Sequence, residues 1–226
     1  MPTLLETVEV ETGPNPGGCV IWLHGLGADG HDFEPVVAEL VRPGERALRF
    51  VFPHAPVRPV TLNNGYAMRA WYDILGIDRQ SQQDEVGIRG SAAAVRALIA
   101  RENERGVSSS RIVLAGFSQG GALALFVGLR YPERLAGIMG LSCYPVLAST
   151  LDAERQAANQ ETPVFLAHGT FDPMVDISLG KEGHKLLEAR GYEVEWHTYP
   201  MPHAVSPEEI GAIAAWLRRV LPASGT

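Results

Sequence analysis

The sequence predicts an α/β fold: a mostly parallel central sheet with helices on both of its faces. Short β-rich runs alternate with runs of helical spacing, which is the rhythm of strand–helix–strand units. Several of the strand-like runs are continuously apolar, as strands covered on both faces should be. Gly and Pro are numerous (24 and 16) but spread between the periodic segments, which reads as many short loops. Leu5–Val10 alternates weakly and is expected as a lead-in edge strand. Cys19–Leu23 (CVIWL) is a buried strand, His31–Leu40 a helix, and Leu48–Phe52 the next strand, stopped by Pro53. From Pro53 to about Gln82 no period is visible, and the aromatic content argues for a folded loop over one end of the sheet. Asp84 to about Glu104 is helical, with Val86, Ala93, Ala94, Ala97 and Leu98 read as its inward face. Ile112–Phe117 is a central strand, Gly120–Leu129 a helix of small residues, and Gly137–Leu141 and Val164–Ala167 two further strands. Ile177–Arg190 is helical, and Tyr192–Tyr199 alternates as a half-exposed edge strand does. Pro207–Val220 closes the chain as a helix, with Ser206 as its cap and Glu209 as the reciprocal partner. No repeat or linker interrupts this order, so residues 1–226 are expected to form a single domain.

Composition narrows the function classes. Hydrophobic residues make up 46% and charged residues 20% of the 226-residue chain, enough to pack a core. The formal charge of −7 and the lack of a basic stripe argue against nucleic acid as a partner. The start, MPTLLETVEVETG, has neither a positive leader nor a long apolar run, and no run approaches the roughly 20 apolar residues of a membrane span. A cytoplasmic protein without integral membrane association is expected. Cys19 and Cys143 sit among apolar neighbours and read as two reduced, buried thiols.

The strongest chemical signal is GFSQGG, Gly116–Gly121, between the apolar strand RIVLAGF and the helix GALALFVGL. In that setting G-x-S-x-G is a nucleophile elbow, the mark of an α/β-hydrolase. The glycines at 116 and 120 relieve crowding in a very tight turn, so that Ser118 stands at the strand tip in a strained conformation. A serine hydroxyl needs a base, and the base needs an orienting acid. In this fold these follow in the order Ser, Asp, His. Asp172, in HGTFDP beyond a strand, and His203, in MPHAV before the last helix, stand where they are needed. Asp176 is a rival acid four residues on. His168 at a strand end, His197 within an edge strand and His184 on a helix surface are rival histidines that read as structural.

The loop HGLGADG, His24–Gly30, follows the first buried strand and matches G-x-G-x-x-G. A dinucleotide site would need an acid at the end of the next strand, which here reads FVFPH, so that reading is disfavoured. The same loop suits an oxyanion hole. One backbone N–H comes from the residue after the nucleophile, Gln119, and the second from a loop after an early strand, where Leu26 is the candidate. His24 then orders the loop. Leu26, Trp71, Tyr72 and Met174 are the candidates to line an acyl groove.

The segments VIWLHGLGADGHDF, FPHAPVRPVTLNNG, AWYD, AGFSQGGALAL, HGTFDP and MPHAVSPEEI together resemble the phospholipase/carboxylesterase family, which includes acyl-protein thioesterases. The resemblance runs nearly end to end. It implies a compact α/β-hydrolase without a large lid domain, with Ser118, Asp172 and His203 as the triad and Leu26 and Gln119 at the oxyanion hole. Trp71 matches a residue beside the active site. The resemblance further implies a small-molecule or lipid-like acyl ester as substrate. It raises a homodimer too, since several members pair so as to partly cover the site. DPMVD departs from a common D-x-V-V-P pattern by Met174 and Asp176, and Ser206 stands where some members carry cysteine.

The expected reaction is a two-step acyl transfer through an acyl-enzyme, with no metal and no organic cofactor. Because histidine titrates near 6.5, activity should decline on acidification. The leading expectation is a carboxylesterase for short- to medium-chain esters. Acyl-protein thioesterase and lysophospholipase are the alternatives within the fold. A binding or scaffold protein on the same fold, or a dinucleotide-dependent oxidoreductase, would lack a reactive Ser118.

Overall fold

The computed structural model describes residues 4–42, 44–76 and 82–222. Seven strands form one sheet: β1 (Thr7–Glu11), β2 (Cys19–Leu23), β3 (Arg49–Pro53), β6 (Ile112–Phe117), β7 (Gly137–Leu141), β8 (Val164–Gly169) and β9 (Val194–Tyr199). Their order across the sheet is β1-β3-β2-β6-β7-β8-β9. All neighbours are parallel except β1, which runs antiparallel to β3 at the edge. The runs read as continuously apolar are the interior strands: every residue of β2, β3, β7 and β8 is buried. The alternating run is the opposite edge, β9, paired on one side only.

Helices cover both faces, and the core divides accordingly. On one face α2 (Glu85–Glu104), α3 (Gln119–Gly128) and α5 (Ile177–Glu188) bury Ile88, Val95, Leu98, Leu123, Leu125 and Leu187. On the other, α1 (Val37–Leu40) and α6 (Pro207–Val220) bury Val37, Leu40, Ile213, Trp216 and Leu217. A four-residue helix α4 (Leu151–Glu154) lies before β8. Among the described residues no large lid covers the sheet, and no helix is long and apolar enough to cross a membrane. Cys19 and Cys143 are both free and buried, and burial pushes both thiols well up.

Three local expectations need correction. The segment read as loop from Pro53 contains an antiparallel hairpin, β4 (Val57–Val60) with β5 (Tyr66–Arg69), closed by a 3₁₀ turn at Thr61–Asn63. Each strand has only four residues and one of them is Pro59, too little to show a period of two. The far end of that segment, 77–81, lies outside the described residues. The expected helix from His31 begins only at the 3₁₀ turn Glu34–Val36, and its α-helical part is α1. The inward face of α2 is also rotated from the one expected. Ile88, Val95, Leu98 and Ile99 go in, whereas Val86 is 83% exposed and Ala93 lies outside. Branched side chains bury more apolar area than alanines, so they set the phase of the helix.

The hairpin is tied to the rest of the molecule by carboxylates. Asp73 accepts from the Thr61 N–H at 2.7 Å and from its hydroxyl. Asp84 accepts from the Asp73 N–H at 2.9 Å while also capping α2 through the Gly87 N–H. The hairpin is thereby held over the C-terminal ends of the strands, where the site residues converge.

Candidate active site

The turn from β6 to α3 has the geometry an elbow requires. Ser118 has φ 54° and ψ −120°, a left-handed backbone that a non-glycine residue adopts only under strain, at a cost of about 1–3 kcal/mol. The Ser118 N–H is held by the Leu141 carbonyl at 2.8 Å, and the Ser118 carbonyl accepts from Ala122 at 3.0 Å. A methyl group on Gly116 would lie 2.3 Å from the Gly120 carbonyl, and one on Gly120 would lie 2.3 Å from the Leu23 carbonyl oxygen. Neither site admits a side chain. Ser118 itself is half-buried, open enough to meet a substrate.

Asp172 follows β8 and His203 follows β9, so the parallel sheet delivers both to the same end as Ser118. His203 Nδ1 lies 2.6 Å from Asp172 Oδ2. A carboxylate only accepts, so Nδ1 carries the proton and Nε2 is left for a hydroxyl. The imidazole packs against the ring of Phe117, the residue before Ser118, with centroids 4.7 Å apart. The other oxygen of Asp172 accepts from the N–H groups of Met174 and Val175, at 2.8 and 2.9 Å. His168, fully buried behind this turn, donates from Nε2 to the Val175 carbonyl at 2.8 Å. Its Nε2 is 3.5 Å from Asp172 Oδ2, and burial holds its pKa down. His168 thus stays neutral and leaves the carboxylate charge to His203.

The loop after β2 lies directly against the elbow. A Cβ on Gly25 would sit 3.5 Å from Ser118 Cβ. This brings the Leu26 backbone beside the first turn of α3, whose opening N–H groups, Gln119 first, have no carbonyl partner within the helix. His24 holds the loop from inside. Its Nδ1 donates to the Gly25 carbonyl at 2.7 Å and its Nε2 accepts from the Ala55 N–H at 3.0 Å. Burial pushes its pKa down to about 4, so it is neutral at pH 7.

The sequence pattern of the Phospholipase/Carboxylesterase family matches residues 6–221. An acyl-protein thioesterase 1 of Neurospora crassa is 44% identical, over 90% of this chain and 86% of its own. One of Mycosarcoma maydis is 38% identical, over 98% of this chain and 99% of its own. Among solved structures, acyl-protein thioesterase 2 of Zea mays superposes with a TM-score of 0.85 at 28% identity, over 96% of this chain and 99% of that one.

The chain belongs to the phospholipase/carboxylesterase family. It is an α/β-hydrolase of the esterase and thioesterase type.

Not every residue singled out in the sequence of this family member stands where it was expected. Asp176, the rival acid, is the N-cap of α5 and accepts from the Ser178 N–H at 2.8 Å, whereas Asp172 is the acid on His203. Trp71 was expected to line a groove, but its indole has no exposed surface and packs in the core. A wholly covered ring reaches a substrate only through the backbone it holds. Tyr72 is 9% exposed, while Met174 is 72% exposed on the rim beside Asp172, together with Phe171 at 70%. The side chain of Gln119 is a feature of the candidate site that sequence reasoning missed, since only its main-chain N–H was considered. It is buried and makes two hydrogen bonds to the Trp71–Tyr72 backbone. A long amide directly after the nucleophile, where a small residue would satisfy the turn, was the available signal. Ser206 caps α6 as expected, accepting from the Glu209 N–H at 3.2 Å. The reciprocal half of the capping box does not form. Both Glu209 carboxyl oxygens are buried without a hydrogen-bond partner, and burial pushes the group up to about 8, opposed by the nearby Ser206 N–H.

Proposed function

We propose that this protein is a serine thioesterase that removes long acyl chains from thioester-linked proteins, with Ser118, His203 and Asp172 as its triad. The observation that carries the reading is the 2.6 Å contact of His203 Nδ1 with Asp172 Oδ2, next to a serine in left-handed backbone at the head of α3. The relatives named acyl-protein thioesterase favour thioesters over the short esters that the sequence first suggested. The same machinery cleaves esters too, so short p-nitrophenyl esters serve as reporters.

In the proposed reaction His203 Nε2 takes the proton of Ser118 as its oxygen attacks the acyl carbonyl. Asp172 holds the imidazole in the Nδ1–H tautomer and stabilises the imidazolium that forms. The N–H groups of Leu26 and Gln119 receive the oxyanion. The thiol or alcohol departs with the proton from His203, and water then repeats the cycle on the acyl-enzyme. Leu26, Tyr72 and Met174 are the side chains proposed to meet the acyl chain.

The test is a substrate panel on the parent protein and Ser118→Ala: an S-palmitoylated peptide, p-nitrophenyl butyrate and lysophosphatidylcholine. The reading expects the thioester to have the highest kcat/KM, and Ser118→Ala to lose activity on all three while melting normally. Retained turnover in that variant would remove Ser118 as nucleophile. A preference for lysophosphatidylcholine would move the substrate class to lysophospholipids.

A further inference from the structure

The two N–H groups assigned to the oxyanion lie on segments far apart in the chain, the loop after β2 and the head of α3. Something must fix their spacing, because an oxyanion hole works only when both donors converge on one point. The sheet does part of this through the close fit of Gly120 on the Leu23 and His24 carbonyls. Trp71 does the rest. Its main-chain N–H donates to Gln119 Oε1 at 2.8 Å, and its indole N–H donates to the His24 carbonyl at 2.9 Å. Its carbonyl accepts from the Ser91 hydroxyl of α2. The next carbonyl, that of Tyr72, accepts from Gln119 Nε2 at 2.7 Å. His24 in turn holds Gly25, adjoining Leu26, and the Gly27 N–H donates to the Arg69 carbonyl at 2.9 Å.

We infer that Trp71, gripped by the Gln119 side chain and bonded to His24, is a positioning residue that sets the separation of the Leu26 and Gln119 N–H groups. This rests on the reading of Ser118 as nucleophile and deepens it. Every polar group of Trp71 is engaged, and two of the three bonds go to Gln119, which carries one donor, and to His24, two residues before the other. Trp22 is the internal contrast. It is as deeply buried, but its indole nitrogen has no hydrogen-bond partner. A tryptophan in this core therefore packs without such a bond, and the bonds of Trp71 are not a general requirement of burial. The consequence is that an oxyanion hole made of main-chain donors becomes open to side-chain mutation.

Trp71→Phe keeps an aromatic ring and removes the bond to His24. Gln119→Met keeps the length of the side chain and removes both bonds to the Trp71–Tyr72 backbone. The control is Trp216→Phe, in the core of the opposite face. With p-nitrophenyl butyrate, kcat is expected to fall about 10- to 100-fold in each of the first two variants, with KM within about twofold, less than the 10²–10³ lost with a whole donor. The Ki of a butyl trifluoromethyl ketone, whose hemiketal oxygen occupies the oxyanion position, should rise by the same factor. The affinity of butyramide, which stays neutral and develops no oxyanion, should not change. Trp216→Phe should lower Tm and leave kcat and the ketone Ki as they were. If Trp71→Phe and Gln119→Met lower Tm but leave kcat and the ketone Ki unchanged, the inference is overturned and Trp71 is packing alone. A change confined to KM and to chain-length preference overturns it as well, in favour of a groove residue. Failure of both variants to fold does so too, since the bonds would then serve the fold. Ser118→Ala separates the two levels: if it is active, the underlying reading fails, and if it is inactive while Trp71→Phe is normal, only this inference does.

Discussion

The two halves of the candidate site are built differently. The oxyanion half is interior: His24 is 2%, Gln119 4% and Trp71 0% exposed, and their polar groups bond to one another or to neighbouring backbone. The acid–base half is carried by the loops after β8 and β9. There Asp172 and Met201 are buried, His203 is half-buried, and Phe171 and Met174 stand out on the rim. The division follows from the work each half must do. Main-chain donors have no rotamers with which to adjust, so their placement has to be built into rigid surroundings. A base that exchanges protons with a leaving group and with water has to stay reachable. What the proposed base needs is one fixed tautomer, which the contact of Asp172 with His203 Nδ1 would supply.

The largest effect should come from cutting that bond. Asp172→Asn retains an oxygen for the Met174 and Val175 N–H groups but presents the wrong tautomer to His203. A loss of about 10⁴-fold in kcat is expected, the size seen when a triad acid is amidated in a serine protease. Asp176→Ala should lose about 1 kcal/mol of stability as a helix cap, with kcat within about twofold. Steady-state kinetics and melting curves of the pair decide it. Equal losses of kcat would mean that the acid has been misassigned.

The halves should also fail at opposite ends of the pH scale. His24, on the oxyanion side, is held down to about 4 against about 6.5 when unfolded. Its neutral, buried form fits the fold above pH 6.5, and stability is lost as pH falls from there towards 4. At about 1.4 kcal/mol per unit this amounts to about 3 kcal/mol. Glu209, in the first turn of the helix after His203, is pushed up to about 8 from an ordinary value near 4.5. Its folded form is the neutral acid, so stability is complete below pH 4.5 and is lost as pH rises through 8, by several kcal/mol. Tyr199 beside it is pushed up to about 12 by burial first and by Glu209 second, and stays neutral across this range. Glu209→Gln should therefore melt above the parent at pH 8 and close to it at pH 5. The acid-side decline should flatten in His24→Gln. Parallel Tm–pH curves for parent and Glu209→Gln would show that the carboxyl is already ionised in the fold.

Two glycines give a smaller and more local contrast. A methyl group on Gly120 meets the Leu23 and His24 carbonyls at 2.3 and 2.5 Å, where α3 packs against the end of β2. One on Gly169 meets the Met201 and Pro202 carbonyls at 2.4 Å, on the loop that carries His203. The clashes are alike but the surroundings are not. Gly120→Ala should cost about 3 kcal/mol because packed strands cannot yield, and Gly169→Ala about 1 kcal/mol because a loop can. The second variant should instead lose kcat, about tenfold, as His203 is displaced from Ser118. Equal melting losses would mean that the His203 loop is as rigid as the sheet.

How much of this was legible in the sequence depended on whether a residue's role shows in its immediate neighbours. The elbow was legible because Gly116, Ser118 and Gly120 sit between an apolar strand and a helix, so motif and context lie within one stretch. Asp172 and His203 were legible because strand ends in a parallel sheet share one edge. The β4–β5 hairpin was not, since four-residue strands containing Pro59 carry no period. The burial of Trp71 was not legible either. Its partners Gln119, Ser91 and His24 lie far away in sequence, and only the folded chain brings them together. What separates Asp172 from Asp176 shows only in the fold, where Asp176 caps α5 and Asp172 meets His203.

The rim should give the smallest effect on stability and the most selective one on substrate. Met174 and Phe171 are 72% and 70% exposed, so Met174→Ser and Phe171→Ser should each change stability by no more than about 0.5 kcal/mol. If a long acyl chain lies across them, each methylene lifted from water is worth about 0.8 kcal/mol, and losing contact with two of them raises KM about tenfold. Such a loss would fall on palmitoyl thioesters and spare butyryl ones, whose short chains offer no such methylenes to the rim. The interior half predicts the reverse, a loss in kcat that is the same for every chain length. Comparing Met174→Ser with Gln119→Met on the two thioesters therefore tests the division of the site directly. If both variants discriminated by chain length, the exposed rim and the buried support would have to be treated as one surface.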